Sequence, residues 1–256
     1  MSKPISSSFE AVLQSVNSLG IDLYRLRFSL PVSLDNGEKF DHQAGQFCYI
    51  GVDEQSASLR PYSIANAPDN DFLEFHVRDT GMGLSRILCG SENEGKTIYL
   101  SAPAGSAHYF EDDERDIVLF SGGTGYAPIR AMIERLEQRK FVRKVTAFIG
   151  ARDVESLYML DEIMAFSKSI DGLSVHFCAD KLEQPHSLVQ EAFLNELAHN
   201  VISDYADKRI YIAGPAPMVI GVREYILKNG AHDDLIHVDH ENIAQYLKRN
   251  DLAKDK

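Results

Sequence analysis

The chain has no tryptophan and only three cysteines in 256 residues. Cys48, Cys89 and Cys178 are far apart, their number is odd, and none stands in a C-x-x-C pair. A disulfide framework, a structural zinc site and a four-cysteine iron–sulfur cluster are therefore all unsupported. Long apolar runs are missing too. Nothing approaches the roughly 20 consecutive residues that cross a bilayer, so no membrane association is expected. The opening Met1-Ser2-Lys3-Pro4-Ile5-Ser6-Ser7-Ser8 lacks the apolar segment of an export signal, which points to the cytoplasm. Positive charge is scarce: 26 Lys and Arg stand against 38 Asp and Glu, a formal charge of −12. Nucleic acid, which needs a basic face, is excluded as a partner. Among nine histidines, His237 and His240 are three apart, but no metal-binding spacing such as H-E-x-x-H occurs. No metal is assigned.

What remains is an ordinary globular composition, 44% hydrophobic and 25% charged, of a length that suits one large domain or two ordinary ones. The two halves differ in texture. Residues 8 to about 110 alternate short apolar segments with Gly, Pro, Asn and Asp, predicting strands at Phe9–Val16, Leu23–Leu30, Gln46–Val52, Tyr62–Ala65, Leu73–Arg78 and Thr97–Ser101. In the fifth of these, Leu73, Phe75 and Val77 alternate with Glu74, His76 and Arg78, the pattern of a strand with one solvated face. Closely spaced strands without helices between them predict an antiparallel barrel or sandwich. One helical stretch, Gly83–Leu88, interrupts them.

After the acidic run Glu111-Asp112-Asp113-Glu114 the pattern changes. Apolar strands at Ile117–Phe120, Val145–Ile149, Leu173–Cys178 and Arg209–Ala213 alternate with helices near Pro128–Arg139, Leu160–Lys168, Leu188–Ala198 and Met218–Lys228. This predicts βαβ units around a parallel sheet covered on both faces. The expected domains are 1–113 and 114–243, with a charged tail at 244–256 that forms a short exposed helix or frays.

The strongest chemical signal is Ser121-Gly122-Gly123-Thr124-Gly125-Tyr126-Ala127-Pro128, between a predicted strand and a predicted helix. Glycines there let the backbone approach a pyrophosphate, and the N–H groups of the helix start face the anion. Pro128 fits the first helical turn, where a missing N–H costs nothing; the motif reads G-x-G-x-x-P where a third glycine is usual. A second turn, Gly214-Pro215, ends the last predicted strand and faces the same crevice. In the first half stands Arg60-Pro61-Tyr62-Ser63, able to offer a charge to phosphate, an aromatic face to a ring and a hydroxyl to a ring nitrogen.

R-x-Y-S in a small barrel, then G-x-G-x-x-P in an α/β half, then a Gly-Pro-x-x-Met turn together resemble the ferredoxin–NADP reductase superfamily, over about residues 8 to 241. Within it, Pro103–Phe110 and the acidic run after it are similar to the bacterial NAD(P)H–flavin reductases. The resemblance implies a two-domain fold: an antiparallel β-barrel that binds flavin, followed by a Rossmann-like α/β domain with a parallel sheet that binds a nicotinamide nucleotide. It implies that Arg60 contacts the flavin phosphate with Pro61 beside it, that Tyr62 packs on the isoalloxazine, and that Ser63 hydrogen-bonds near the hydride-accepting nitrogen. His76, Val77 and Arg78 with Gly83 and Ser85 resemble the family's second flavin segment. The family spaces its Gly and Ser three apart, and both Gly83 and Gly81 are candidates for that glycine. Gly122, Gly123, Thr124, Gly125 and Pro128, with Gly214 and Pro215, would bind the nicotinamide nucleotide. Glu241 resembles the acidic residue near the ring, and Ala213 stands where many relatives carry a cysteine.

The implied cofactors are FAD and NADH or NADPH. Asp180, where NADPH-using relatives place a Ser-Arg pair, would repel a 2′-phosphate and favours NADH; Arg152 argues the other way. Hydride would pass from the nicotinamide to the flavin and onward to free flavin or a redox protein such as ferredoxin or an oxygenase. The cofactors would carry the chemistry, with the barrel holding one and the α/β half delivering the other. A reading from another class is a non-catalytic flavin- or nucleotide-binding subunit that regulates or relays electrons.

Overall fold

The computed structural model describes residues 8–33, 39–53 and 59–238. The described residues fall into two compact units: one up to Tyr109 together with Arg130–Arg135, the other of Phe110–Ile129 and the residues from Leu136 on.

The first unit is antiparallel. Its strands are β1 (Ser8–Gly20), β2 (Leu23–Ser29), β3 (Val32–Ser33), β4 (Phe47–Gly51), β5 (Arg60–Ser63), β6 (Phe72–Arg78) and β7 (Thr97–Ser101), with helix α1 (Gly83–Leu88) after β6. The order across the sheet is β5-β4-β7-β1-β2-β6, with β3 paired to β1. A single bridge, Ile64 to Phe75, joins the end beyond β5 to β6 and closes the sheet into the expected barrel. Leu13, Leu26, Phe28, Ile50, Ile64, Phe75 and Leu100 fill its interior, each fully buried. Strand β1 runs past Val16, where the alternation suggested an end. Register shifts between Leu13 and Ser15 and between Ser18 and Gly20 bend it without ending its pairing with β2.

Strand β6 departs from the expected solvated face. Glu74 is 0% exposed and His76 5%. Arg25 and Arg27 from β2 approach the Glu74 carboxylate at 3.3 and 2.9 Å, and His76 Nε2 at 3.1 Å. Arg130 Nη1 lies 3.8 Å away, and the Glu74 N–H donates to Asn66 Oδ1 at 2.7 Å. A period-2 polar position reads as surface in sequence because nothing local reveals that distant arginines will cover it.

The second unit is a parallel sheet. Strands β8 (Asp116–Gly122), β9 (Val145–Ala151), β10 (Leu173–Ala179), β11 (Val189–Glu191), β12 (Lys208–Ala213) and β13 (Ile236–Val238) take the order β11-β10-β9-β8-β12-β13. Helices α2 (Tyr126–Gln138), α3 (Leu160–Ser169), α4 (Leu194–His199) and α5 (Ala216–Lys228) connect them. Strands β8 and β9 are buried along almost their whole length, which is why they read as uninterrupted apolar runs. Phe120 and Phe148 stack across neighbouring strands with centroids 5.0 Å apart. The expected helix over Leu188–Ala198 is corrected here. Residues Val189–Glu191 pair in parallel with Phe177–Ala179 as an edge strand, and the helix is only Leu194–His199. The apolar positions Val189, Phe193 and Leu197 fall at i, i+4 and i+8, as on a helix, but the open edge of β10 captures the first of them as a strand.

The chain enters the sheet at β8, winds outward through β9, β10 and β11, then returns to place β12 on the other side of β8. The winding therefore reverses between β8 and β12, and in open α/β sheets ligands bind at the carboxyl ends of the strands flanking such a reversal. Among the described residues, no helix is long and apolar enough to cross a membrane.

The buried Glu74 predicts an acid response. Burial raises its pKa, but the His76 hydrogen bond and the Arg130 and Arg25 charges outweigh that and hold it near about 2. A carboxylate depressed on folding contributes stability that is complete above its ordinary value and is lost as pH falls through the folded value. Urea midpoints should accordingly fall between about pH 4.5 and 2 for the unaltered chain. Glu74→Gln should lack that slope and be less stable by about 3 kcal/mol at pH 7, because its arginines lose their counter-charge.

Candidate functional site

The two glycine turns lie at the winding reversal. Gly122 is the last residue of β8; Gly123–Gly125 form a single 3-10 turn, and α2 starts at Tyr126. Gly214-Pro215 follows β12, with Pro215 as the N-cap of α5. The glycines serve two different purposes. A Cβ on Gly125 would stand 2.5 Å from the Gly214 backbone N, and one on Gly122 would meet Met218 Sδ at 2.5 Å. A Cβ on Gly214 would meet Gly122 O at 2.9 Å. Gly122, Gly125 and Gly214 thus let the two turns pack directly against each other. Gly123 differs: its φ is +54° and a Cβ there would meet nothing within 4 Å. It alone of the four presents an open backbone face. No acidic residue stands in the first turn of α2, so no carboxylate competes for an anion at that helix start. Thr124 is half-buried, and Pro128 is buried inside the first turn of α2, where its missing N–H leaves no gap. An open glycine at a helix start with no competing carboxylate fits the phosphates of a dinucleotide.

Asp180 follows β10 and is exposed; its N–H donates to Ala151 O at 3.0 Å, which fixes the turn that carries it. Arg152, after β9, is exposed as well.

In the first unit, β5 presents Arg60, Pro61, Tyr62 and Ser63 opposite Ile50, Tyr49, Cys48 and Phe47. Arg60 is exposed, and its Nη1 donates to Leu59 O at 2.9 Å. Tyr62 is half-buried; burial and the neighbouring Cys89 push its phenol up to about 12, so the ring is neutral throughout the working range. Ser63 is half-buried at the end of the strand. A cationic tip, a neutral aromatic face and a hydroxyl along one short strand fit a flavin.

The second segment is less uniform. Val77 is in the barrel core, His76 is turned to Glu74, and only Arg78 is exposed, with its Nη1 3.5 Å from Ile21 O. Burial keeps the His76 imidazole below its ordinary pKa. Gly81 and Gly83 both have positive φ, +78° and +63°, and a Cβ on either would meet nothing within 4 Å. The Ser85 hydroxyl is buried and bound inside the loop: it accepts from the Thr80 N–H at 3.1 Å and lies 2.8 Å from Thr80 Oγ1. Ser85 therefore shapes the loop that presents the two glycines. Glu241 lies outside the described residues, as does the tail at 244–256.

Sequence reasoning passed over Asn66, Glu74, Arg130 and Glu134. Arg130 Nη1 donates to Ala65 O at 2.7 Å, and the Ala67 N–H donates to Glu134 Oε2 at 2.8 Å. The i, i+4 pair Arg130–Glu134 reads as a solvated helix face, and no local signal marks it as buried.

The architecture is an antiparallel barrel followed in sequence by a parallel α/β sheet. The family models agree, an oxidoreductase FAD-binding domain matching residues 10–109 and an oxidoreductase NAD-binding domain matching residues 119–224. The chain belongs to the ferredoxin–NADP reductase superfamily, and it binds FAD and a nicotinamide nucleotide. It is 33% identical to the reductase component 1 of terephthalate 1,2-dioxygenase from Comamonas sp over 63% of this chain and 46% of that protein. It is 27% identical to a probable flavin reductase from Vibrio harveyi over 83% of this chain and 92% of that one. The ferredoxin reductase in carbazole 1,9a-dioxygenase shares the fold, with a TM-score of 0.76 at 23% identity, covering 91% of this chain and 69% of that one. The chain spans about half the length of the oxygenase reductase components it matches.

The two kinds of glycine give a paired prediction. Gly125→Ala should lower both the melting temperature and the affinity for NADH, because the new methyl collides with backbone of the neighbouring turn. Gly123→Ala should cost only about 1 kcal/mol of stability, yet weaken NADH by at least ~10-fold, because its methyl fills the open face. Thermal melts and nucleotide titrations on the two variants separate these outcomes.

Proposed function

We propose that this chain takes a hydride from NADH onto a bound FAD and passes the electrons to a redox protein. The observation that carries the reading is the open backbone at Gly123, between β8 and an α2 start without acidic residues, at the point where the sheet's winding reverses. Bound FAD accepts two electrons as hydride and releases them one at a time or together. The chain's own residues bind and orient. Arg60 neutralises a flavin phosphate, Tyr62 presents its uncharged ring to the isoalloxazine, and Ser63 donates its hydroxyl to the edge of the flavin where hydride arrives. Arg78 adds a second cation, and the open glycines at 81 and 83 leave room for a pyrophosphate, which supports a retained dinucleotide over flavin mononucleotide as a passing substrate. Gly122, Gly123, Thr124, Gly125 and Pro128 with Gly214 and Pro215 form the nucleotide cradle, and the family resemblance assigns Glu241 the acidic role at the ring. No side chain is asked to act as a strong acid or base, in keeping with the neutral Tyr62 and with hydride transfer that depends on alignment.

Asp180 supports NADH over NADPH, since an exposed carboxylate after β10 repels a 2′-phosphate and accepts from ribose hydroxyls. A protein acceptor is supported by the relatives that are reductase components of oxygenases. The domain division proposed for these roles is 1–113 and 114–243.

The purified chain should be yellow and keep FAD through gel filtration, and it should oxidise NADH with ferricyanide as acceptor. Absence of turnover with ferricyanide, free FMN and free FAD alike rejects the reading; turnover with free flavin alone replaces the protein acceptor with flavin itself. Asp180→Ser should shift the NADH-to-NADPH preference in kcat/KM by at least ~10-fold toward NADPH, the scale of one lost charge repulsion.

A further inference from the structure

Beyond Ser63 the chain leaves regular pairing, with the Ile64–Phe75 bridge and the Ala65 N–H to Glu74 O bond as its last ladder contacts. From there its backbone is held by side chains. Arg130 takes the Ala65 carbonyl at 2.7 Å and Glu134 takes the Ala67 N–H at 2.8 Å. Asn66 Nδ2 donates to Phe72 O at 3.0 Å, and His42 Nε2 lies 3.2 Å from Asn66 O. Arg130, 8% exposed, is the hub: the same Nη1 reaches Glu134 Oε2 at 3.2 Å and lies 3.8 Å from Glu74 Oε1. Arg130–Arg135 belong to the same compact unit as β5 and β6.

We propose that Arg130 is a positioning residue for the flavin: by fixing the Ala65 carbonyl against the Glu74 carboxylate, it sets the place of Tyr62 and Ser63. This rests on the reading of β5 as the flavin strand. Only one bridge separates Ala65 from Ser63, so a shift of the first carries into the second. A buried carbonyl stripped of its donor is costly, and a charge-assisted donor holds it more firmly than a neutral one. One guanidinium nitrogen, Nη1, reaches a carbonyl and a carboxylate and lies near a second carboxylate; a lysine ammonium keeps the charge on a flexible stem but loses the planar group's fixed direction.

The role has a signature that a purely structural part would lack. The groups facing Glu74 are Arg25 and Arg27 from β2, His76 from β6, and Arg130 from α2. Burial lowers the His76 pKa, the Glu74 hydrogen bond and charge favour its proton, and the Arg130 and Arg25 charges work against it. Removing Arg130 removes one of those repulsions and leaves Glu74 short of a cation. His76 then takes up a proton as pH falls, and its imidazolium restores the balance around the carboxylate.

The test is FAD titrated into the flavin-stripped full chain between about pH 5.5 and 8.5, with melting temperatures recorded alongside. The unaltered chain should bind with a pH-independent Kd. Arg130→Gln should bind ~10-fold more weakly at the high end and recover to within ~3-fold at the low end. His76→Gln added to Arg130→Gln should abolish the recovery. Arg130→Lys, which keeps the charge, should bind ~3-fold more weakly without pH dependence. A folded Arg130→Gln with unaltered Kd at every pH overturns the proposal. Should that variant not fold, an Arg130→Lys chain with unaltered Kd and flavin absorption overturns it instead. An unaltered chain that takes up no FAD rejects the flavin reading itself, and the proposal with it.

Discussion

Two backbone turns at the carboxyl ends of β8 and β12 pack closely against each other through their glycines, and the order of the α/β unit depends on that contact. A methyl on Gly125 would approach Ala213 O to 2.3 Å, and one on Gly214 would approach Gly122 N to 3.0 Å. Parallel pairing from Lys208–Asp116 to Ala213–Ser121 brings the strands in at matched heights, so the turns meet where the strands end. With both turns pinned, Gly123 is left holding a positive φ toward open space. The open face is therefore a by-product of packing: three glycines are consumed in making a rigid corner, and one keeps an unobstructed backbone.

The barrel is organised by the opposite kind of interaction. Where the α/β unit gains order from removing side chains, the barrel gains it from a carboxylate buried among cations. Glu74 is expensive to bury and is tolerated because arginines from β2 and α2 and a histidine from its own strand surround it. Such a centre specifies geometry more than it adds stability, since each partner must be in place for the others to be satisfied. The segment that follows Tyr62 and Ser63 runs past this centre, which gives the strand at the barrel's closing bridge a fixed footing.

Much of this was legible in the sequence. The parallel strands were readable because burial on both faces leaves uninterrupted apolar runs such as Ile117–Phe120, and the barrel strands because β2 and β6 alternate. The glycine turn was readable because strand, glycines and helix follow in order. The roles of individual glycines were not, since packing of residue 125 against residue 214 is a contact between distant parts of the chain. Glu74, Arg130 and Asn66 were illegible for the same reason: polar residues in a strand or helix look solvated until distant partners are known. The Leu188–Ala198 segment misled because three apolar residues at helical spacing say nothing about an unoccupied sheet edge.

The three thiols carry a consequence of their own. Cys48, Cys89 and Cys178 are all buried, and burial keeps each protonated, the last two with pKa values raised to about 12. Oxidation by peroxide proceeds through the thiolate. Reduced flavin that meets dioxygen yields peroxide, so a flavoprotein is exposed to its own by-product. Here the three sulfurs are buried and held in the thiol form, the one that peroxide attacks poorly.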